Sequence, residues 1–224
     1  MERVSLSRSA FVLIAAGLLA AGIYAAAVRG LADAHYTSAR LLLGRGDAKP
    51  PPGTAAAAQA ALGEAMALEP SNPLFVEQSA RLHELQALAL DRGDAAARRM
   101  LAQSLGEFRA AALMRPGSPY VWASIAMLKL RLGEMDTEFP AALERAARLG
   151  PWEPQVQIAI ADVGLAAWRR LAPPVKASVI AVLERGLLRQ EVEIRRIAAA
   201  HGTLPLACAE AALPQRLAAL CVKK

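Results

Sequence analysis

The chain has 224 residues, and 26 Lys and Arg against 20 Asp and Glu leave a formal charge of +6, which bounds it to one or two modest domains. Hydrophobic residues make up 55% of it but aromatic residues only 4%, so the apolar content is mainly Ala, Leu, Val and Ile. Strand-rich folds need β-branched and aromatic side chains at alternating positions, whereas stretches such as 55–67 and 95–112 are built from strong helix formers. An all-β protein and a largely disordered one are both excluded, and the expected class is all-α.

The first element in chain order follows a short tail, residues 1–9. Residues 10–28 read AFVLIAAGLLAAGIYAAAV, 19 residues without a charge. As a helix such a run covers about 28 Å, enough to cross a bilayer. Arg3 and Arg8 precede it and Arg29 closes it. Ala25 and Ala27 form an A-x-A site of the kind a signal peptidase cleaves, but the apolar run exceeds the core of a typical signal peptide. A retained single-pass transmembrane helix is therefore expected. Basic residues on the two flanks are too evenly matched for the positive-inside rule to orient it. A short basic tail is the usual form of an N-in anchor, which would put the remaining chain on the extracytoplasmic side. Residues 29–53 are expected as a juxtamembrane helix, 31–43, and a semi-rigid linker with three consecutive prolines.

Next comes an internal repeat. The segments AMALEPSNP (65–73), AALMRPGSP (111–119) and AARLGPWEP (146–154) align without gaps, with final prolines 46 and 35 residues apart. A helix ending in a small-residue turn, with a proline just beyond and a period near 34, is the tetratricopeptide pattern. In the copy from Pro119, Trp122, Ile125 and Ala126 supply the first-helix packing positions. Gly133 makes the turn, and Phe139, Leu143 and Ala146 form the inner face of the second helix. The copy from Pro73 keeps Val76 and Ala80 and carries an insertion at 91–95. The copy from Pro154 keeps Ile160 and Ala161, with a second helix over 174–189. Residues 54–190 are thus expected as an α-solenoid of helical hairpins, and 191–224 as its capping helices.

In that register the first-helix positions left free of internal packing form a concave groove. They are Leu74, Glu77, Arg81 and Glu84, then Tyr120, Ala123, Met127, Leu130 and Arg131, then Gln155, Ile158 and Asp162. The mixture suits a peptide or a helix of another protein. Trp152 either stacks at the groove's rim or packs the turn between repeats.

Catalytic chemistry has no visible motif. The three histidines, His35, His83 and His201, are isolated from one another and from cysteine, so no metal site is expected. No phosphate-binding loop and no G-x-S-x-G elbow is present, so neither cofactor nor enzymatic activity is expected. Cys208 and Cys221 either form a disulfide across a short terminal loop, in an oxidising compartment, or are two small buried thiols. Arg169, Arg170, Arg185, Arg189, Arg195 and Arg196 concentrate late in the chain, with few aromatics among them. Nucleic acid is therefore a poor match, whereas anionic lipid headgroups, an acidic partner, or simply solvent are open readings.

Beyond the generic repeat, several stretches carry a more specific likeness. They are Pro119-Tyr120-Val121-Trp122, then Leu132-Gly133-Glu134 with Phe139, then Ala142-Leu143-Glu144-Arg145-Ala146-Ala147, and above all Leu149-Gly150-Pro151-Trp152-Glu153-Pro154. With the N-terminal apolar run and the later Arg185-Gly186-Leu187, they resemble the VpsP family of polysaccharide-biosynthesis proteins. The resemblance implies a small membrane-anchored accessory protein of exopolysaccharide production and export, working beside glycosyltransferases, a polymerase and an export machine. It brings no catalytic residues with it. Two rival readings stand beside it: a repeat scaffold of another envelope process, such as cytochrome maturation or pilus assembly, and a carbohydrate-binding module in which Trp122, Trp152 and Trp168 stack on sugar rings.

Overall fold

A computed structural model describes residues 2–44, 52–91 and 93–202. Over those residues the chain is helical and contains no strand, as its composition requires. The helices are α1 (Glu2–Leu43), α2 (Pro52–Leu68), α3 (Pro73–Leu88), α4 (Ala95–Met114), α5 (Pro119–Leu132), α6 (Glu138–Leu149), α7 (Pro154–Ala166), α8 (Pro173–Arg189) and α9 (Glu191–His201). A single 3-10 turn, Trp168–Arg170, precedes α8. By internal contacts the chain divides into two units, Met1–Gln78 and Ser79–Lys224.

In the first unit, α1 runs unbroken through the residues expected as tail, apolar span and juxtamembrane helix. It is one helix, and it is long and apolar enough to cross a membrane. Its apolar side chains lie outside any protein core: Phe11 and Leu13 are each 73% exposed, and Leu18 and Tyr24 are almost as open. Further along, α1 changes role. Ala32 and Ala39, two helical turns apart, are fully buried, and so are Ala58, Leu62 and Ala65 on α2. Alanine stripes of this kind let two helix backbones approach closely. Phe75 and Tyr36 fill the end of the seam with their ring centroids 5.2 Å apart, and Arg29 Nε donates to Glu69 Oε1 at 3.2 Å. Residues 54–68, which the repeat pattern assigns to the hairpin array, therefore pack as α2 along α1. Residues 45–51, which include two of the three linker prolines, lie outside the described residues.

In the second unit, packing joins helices that are neighbours or next-neighbours in the chain: α4 with α5, α5 with α6 and α7, α6 with α7 and α8, and α7 and α8 with α9. Proline opens α5, α7 and α8, where its missing N–H and fixed φ suit the first helical position. Asp94 caps α4 by accepting from the Ala96 N–H at 2.7 Å. Gly133 ends α5 at φ 77°, a left-handed conformation that a side chain disfavours. α6 shows how periodicity produces the core. Phe139, Ala142, Leu143, Ala146 and Ala147 follow i, i+3, i+4, i+7, i+8 and all are buried, while Arg145 and Arg148 face solvent.

Small residues set the close crossings. A Cβ added at Gly164 on α7 would sit 2.6 Å from both methyl carbons of Val179 on α8, and one at Gly186 would sit 3.0 Å from Ile194 on α9. Between α3 and α4, the Ser104 hydroxyl donates to the Ala80 carbonyl at 2.7 Å. The residues expected to pack the repeats, Val76, Ala80, Ile125, Ala126, Ile160 and Ala161, are buried; Trp122 is only half-buried. α8 begins one residue before the expected start. Of the expected caps, α9 packs on α7 and α8 through Ile194, Ile197 and Ala198. Residues 203–224, with Cys208 and Cys221, lie outside the described residues.

Candidate functional site

Three helices of the second unit and the part of α3 from Ser79 onward share one face. α3, α5, α7 and α9 contribute the walls of an open cavity of about 340 Å³. On α5 the lining follows helical spacing through Tyr120, Ala123, Ser124, Met127 and Arg131. On α3 it runs through Arg81, Glu84, Leu85 and Leu88, and on α7 through Gln155, Ile158, Ala159 and Asp162. Arg196 and Ile197 of α9 close the far side.

The charged groups are mostly matched within the protein. Arg131 Nη1 donates to the buried carboxylate of Glu84 at 2.7 Å, tying α5 to α3. His201 Nε2 lies 2.6 Å from Asp162 Oδ1, tying α9 to α7. Arg196 pairs with Glu193 on its own helix, and that bond, with a smaller attraction to Asp162, raises its pKa. The Tyr120 hydroxyl donates to Glu153, and this hydrogen bond, followed by burial and the nearby negative charge, raises the phenol above its ordinary value. Arg81 is exposed, and among the described residues it pairs with no carboxylate. The floor between these charges is apolar and adaptable, with Leu85, Ala123, Met127 and Ile158.

Nine of the twelve residues expected at the groove meet at this cavity: Arg81, Glu84, Tyr120, Ala123, Met127, Arg131, Gln155, Ile158 and Asp162. Glu77 does not; it belongs to the first contact unit, as does Leu74. Leu130 is also absent from the lining. At 100° per residue it sits about 80° round the helix from Tyr120, whereas Arg131 sits about 20° from it. Leu85 and Leu88 extend the stripe of Arg81 and Glu84 at ordinary i+4 and i+7 spacing, so the same periodicity could have found them. Arg196, Ile197 and His201 could not be found that way, because α9 reaches the face by folding back from 39 residues beyond Asp162.

A second, larger cavity of about 800 Å³ adjoins the first, sharing Leu88 and Arg131. Its walls are mainly apolar, including Leu90, Leu101 and Leu132, with Arg98 on α4 as a further cation.

The strongest ionic cluster lies elsewhere, at the α5–α6 turn. Lys129 is fully buried, and its Nζ reaches Asp136 at 2.8 Å, Glu138 at 2.9 Å and Glu134 at 3.3 Å. Burial pulls the ammonium pKa down, but the hydrogen bonds to Asp136, Glu138 and Glu134 outweigh it and the net shift is upward. Arg109 and then Lys129 hold Glu138 below the usual carboxylate range, and Lys129 does the same for Asp136. Three carboxylates converging on an ammonium make a lock for the turn. On α3 and α4, Ser79 and the buried His83 both bond to Glu107, at 3.3 and 2.9 Å.

The late arginines are also largely engaged. Arg185 Nε donates to the Pro151 carbonyl at 3.1 Å, Arg189 reaches the Trp152 carbonyl, and Arg195 and Arg196 pair with Glu191 and Glu193. Only Arg169 and Arg170 of the six are exposed with no such contact among the described residues. The tryptophans differ as sharply. Trp168 is 1% exposed and closed to any ligand, Trp122 donates to the Pro116 carbonyl beneath Arg145, and Trp152 is 52% exposed with Arg185 6.0 Å above its ring. Trp152 is the most exposed of the three.

Compared with protein-family models and with curated proteins, the sequence matches none.

Proposed function

We propose that this is a non-catalytic scaffold, anchored in a bacterial inner membrane by α1, whose periplasmic helical hairpins of tetratricopeptide type bind protein partners in exopolysaccharide assembly and export. The observation that carries the binding role is the continuous face made by α3, α5, α7 and α9. Alternate helices lining one surface is what stacked hairpins produce, because each first helix meets the next first helix and each second helix the next second helix. The pairings α5 with α7, α7 with α9 and α6 with α8 follow that rule. The anchor reading rests on the exposed apolar stretch of α1, whose side chains lack a protein core to cover them. The polysaccharide pathway rests on the resemblance of the Leu149–Pro154 region to VpsP proteins.

The test is affinity recovery of partners from native membranes with a tagged full-length chain. Exchanging charges at Arg131 and Glu84 would be a poor probe, because the two bond to each other and could re-form in reverse. Met127→Trp fills the floor instead. It should abolish recovery of polymerase or export components while helix content by circular dichroism is unchanged. Undiminished recovery would remove the groove from the reading. Recovery of cytochrome-maturation or pilus proteins would move the scaffold to another envelope process. A reporter fused after Lys224 should be active on the periplasmic side.

A further inference from the structure

α1 changes environment at a definite residue. From Arg8 to Tyr24 every residue is exposed, all round the helix. From Ala25 onward one side is covered: Ala25 and Val28 are partly buried, and Ala32 and Ala39 fully, along a single helical stripe. The end of α2 lies at that level. Ala65 is buried with Ala32 and Phe75, Met66 and Leu68 pack on the same cluster, and Arg29 Nε donates to Glu69 Oε1 at 3.2 Å. α2 therefore runs antiparallel to α1, and its C-terminal end is the one nearest the apolar run. The turn into α3 is held closed by its own side chains: Glu69 Oε2 accepts from Asn72 Nδ2, and Asn72 Oδ1 accepts from the Leu74 N–H, each at 3.1 Å. Pro70 and Ser71 at its tip are exposed.

Arg8 and Arg29 bracket 20 residues without a charge. As a helix they cover about 30 Å, which is also about the thickness of the hydrocarbon core of a bilayer. The run has no length to spare, so a helix that crosses on it leaves the hydrocarbon at Arg29, level with Glu69. We propose, resting on the reading of α1 as a membrane anchor, that the α2–α3 turn, residues 69–72, is a lipid-contacting surface: it sits in the headgroup layer with Pro70 and Ser71 toward the bilayer, and α2 stands away from the membrane along α1. Tyr24 and Arg29 then occupy the depths at which aromatic rings and cations anchor a membrane helix. The bond to Arg29 offsets the charge of Glu69 at the level where anionic headgroups would repel a bare carboxylate.

The test places one environment-sensitive fluorophore at a time on the full-length protein in phosphatidylcholine nanodiscs. Ser71→Cys, Ala56→Cys and Leu19→Cys carry the label, each combined with Cys208→Ser and Cys221→Ser. All three labelled positions are exposed, so the label displaces no core contact. Ala56 lies toward the opposite end of α2, about 18 Å along the helix from Leu68. Lipids spin-labelled on the headgroup should strongly quench the label at position 71 and leave the one at position 56 nearly unchanged. Lipids spin-labelled in mid-chain should quench the label at position 19. Quenching at 19 with none at 71 would keep the anchor and overturn the lipid contact of the turn. Equal headgroup quenching at 71 and 56 would mean that α2 lies flat on the surface, and would overturn the end-on arrangement. Absence of quenching at 19 would overturn the anchor reading and this inference with it.

Discussion

The two units use nearly the same residues in opposite ways. In Met1–Gln78 the apolar side chains of α1 point outward from Phe11 to Tyr24, and the buried seam with α2 is made of alanines and Leu62, with the Tyr36–Phe75 pair at its end. In the described part of Ser79–Lys224 the helices bury apolar side chains against one another, among them Phe139, Ile160, Leu165, Trp168 and Leu183, although Leu113 and Val192 stay exposed. An outward apolar helix needs an apolar surrounding, whether lipid or another protein surface, because it would otherwise face water at roughly 25 cal/mol for each Å². An inward one needs close helix approach, and glycine or alanine at each crossing supplies it. Alanine and leucine content therefore does not distinguish the two uses. Charge placement does: residues 10–28 contain none, whereas every helix from α3 to α9 except α7 has at least one basic residue.

The sharpest way to break this contrast is to place charge in the outward region. Leu19→Arg, near the middle of the apolar run, should cost about 3 kcal/mol of membrane insertion. The variant chain should move from the carbonate-resistant membrane fraction to the soluble or degraded pool, while the same substitution at exposed Leu113 should leave fractionation unchanged.

A second test removes the charge that the inward region holds. Lys129→Ala should destabilise the second unit by about 2 kcal/mol, less than the 3–5 kcal/mol of a fully buried pair because its carboxylate partners remain partly solvated. Thermal unfolding measures it. The pH dependence carries the sign. Asp136 and Glu138 have lowered folded pKa values, so their contribution is present above the ordinary carboxylate range and is lost as pH falls through the lowered values. Lys129 has a raised value, so its contribution is complete below the ordinary lysine range and is lost as pH rises through the raised value. In Lys129→Ala both the acid and the alkaline limbs of the stability profile should flatten.

Smaller effects sharpen the role of close approach. Gly164→Ala puts a methyl 2.6 Å from Val179 and should cost about 2 kcal/mol by overpacking. Val179→Ala in the same chain should recover part of that loss, and denaturant midpoints of the single and double variants would show it. Gly133→Ala, which has open space but a φ of 77°, should cost about 1 kcal/mol through backbone strain alone. By contrast, Gly63→Ala on α2 meets nothing within 4 Å and should stabilise slightly.

Much of the helix pattern was legible in the residues. Proline after a small-residue turn marks the starts of α3, α5 and α7, and the apolar spacing of α6 is complete in its sequence. The stripe of Arg81, Glu84, Tyr120, Met127, Arg131 and Asp162 was legible for the same reason, since a helix fixes which residues share a face. Two placements differ from that reading for equally physical reasons. Leu130, counted among the first-helix positions free of internal packing, sits about 80° round α5 from Tyr120 and does not line the cavity. Residues 54–68 read as part of the hairpin array because an alanine-rich helix fits many partners equally well; packing against Ala32 and Ala39 of α1 settled which one it takes.

Helix formation is local, so composition, periodicity and proline placement were enough to specify an all-helical chain with one long apolar segment. Which faces meet is not local. The bonds of Arg131 to Glu84, Arg109 to Glu138 and His201 to Asp162 span 47, 29 and 39 residues, and no spacing rule announces them. Those contacts exist only once helices are stacked, and they decide which arginines pair with carboxylates and which stay exposed.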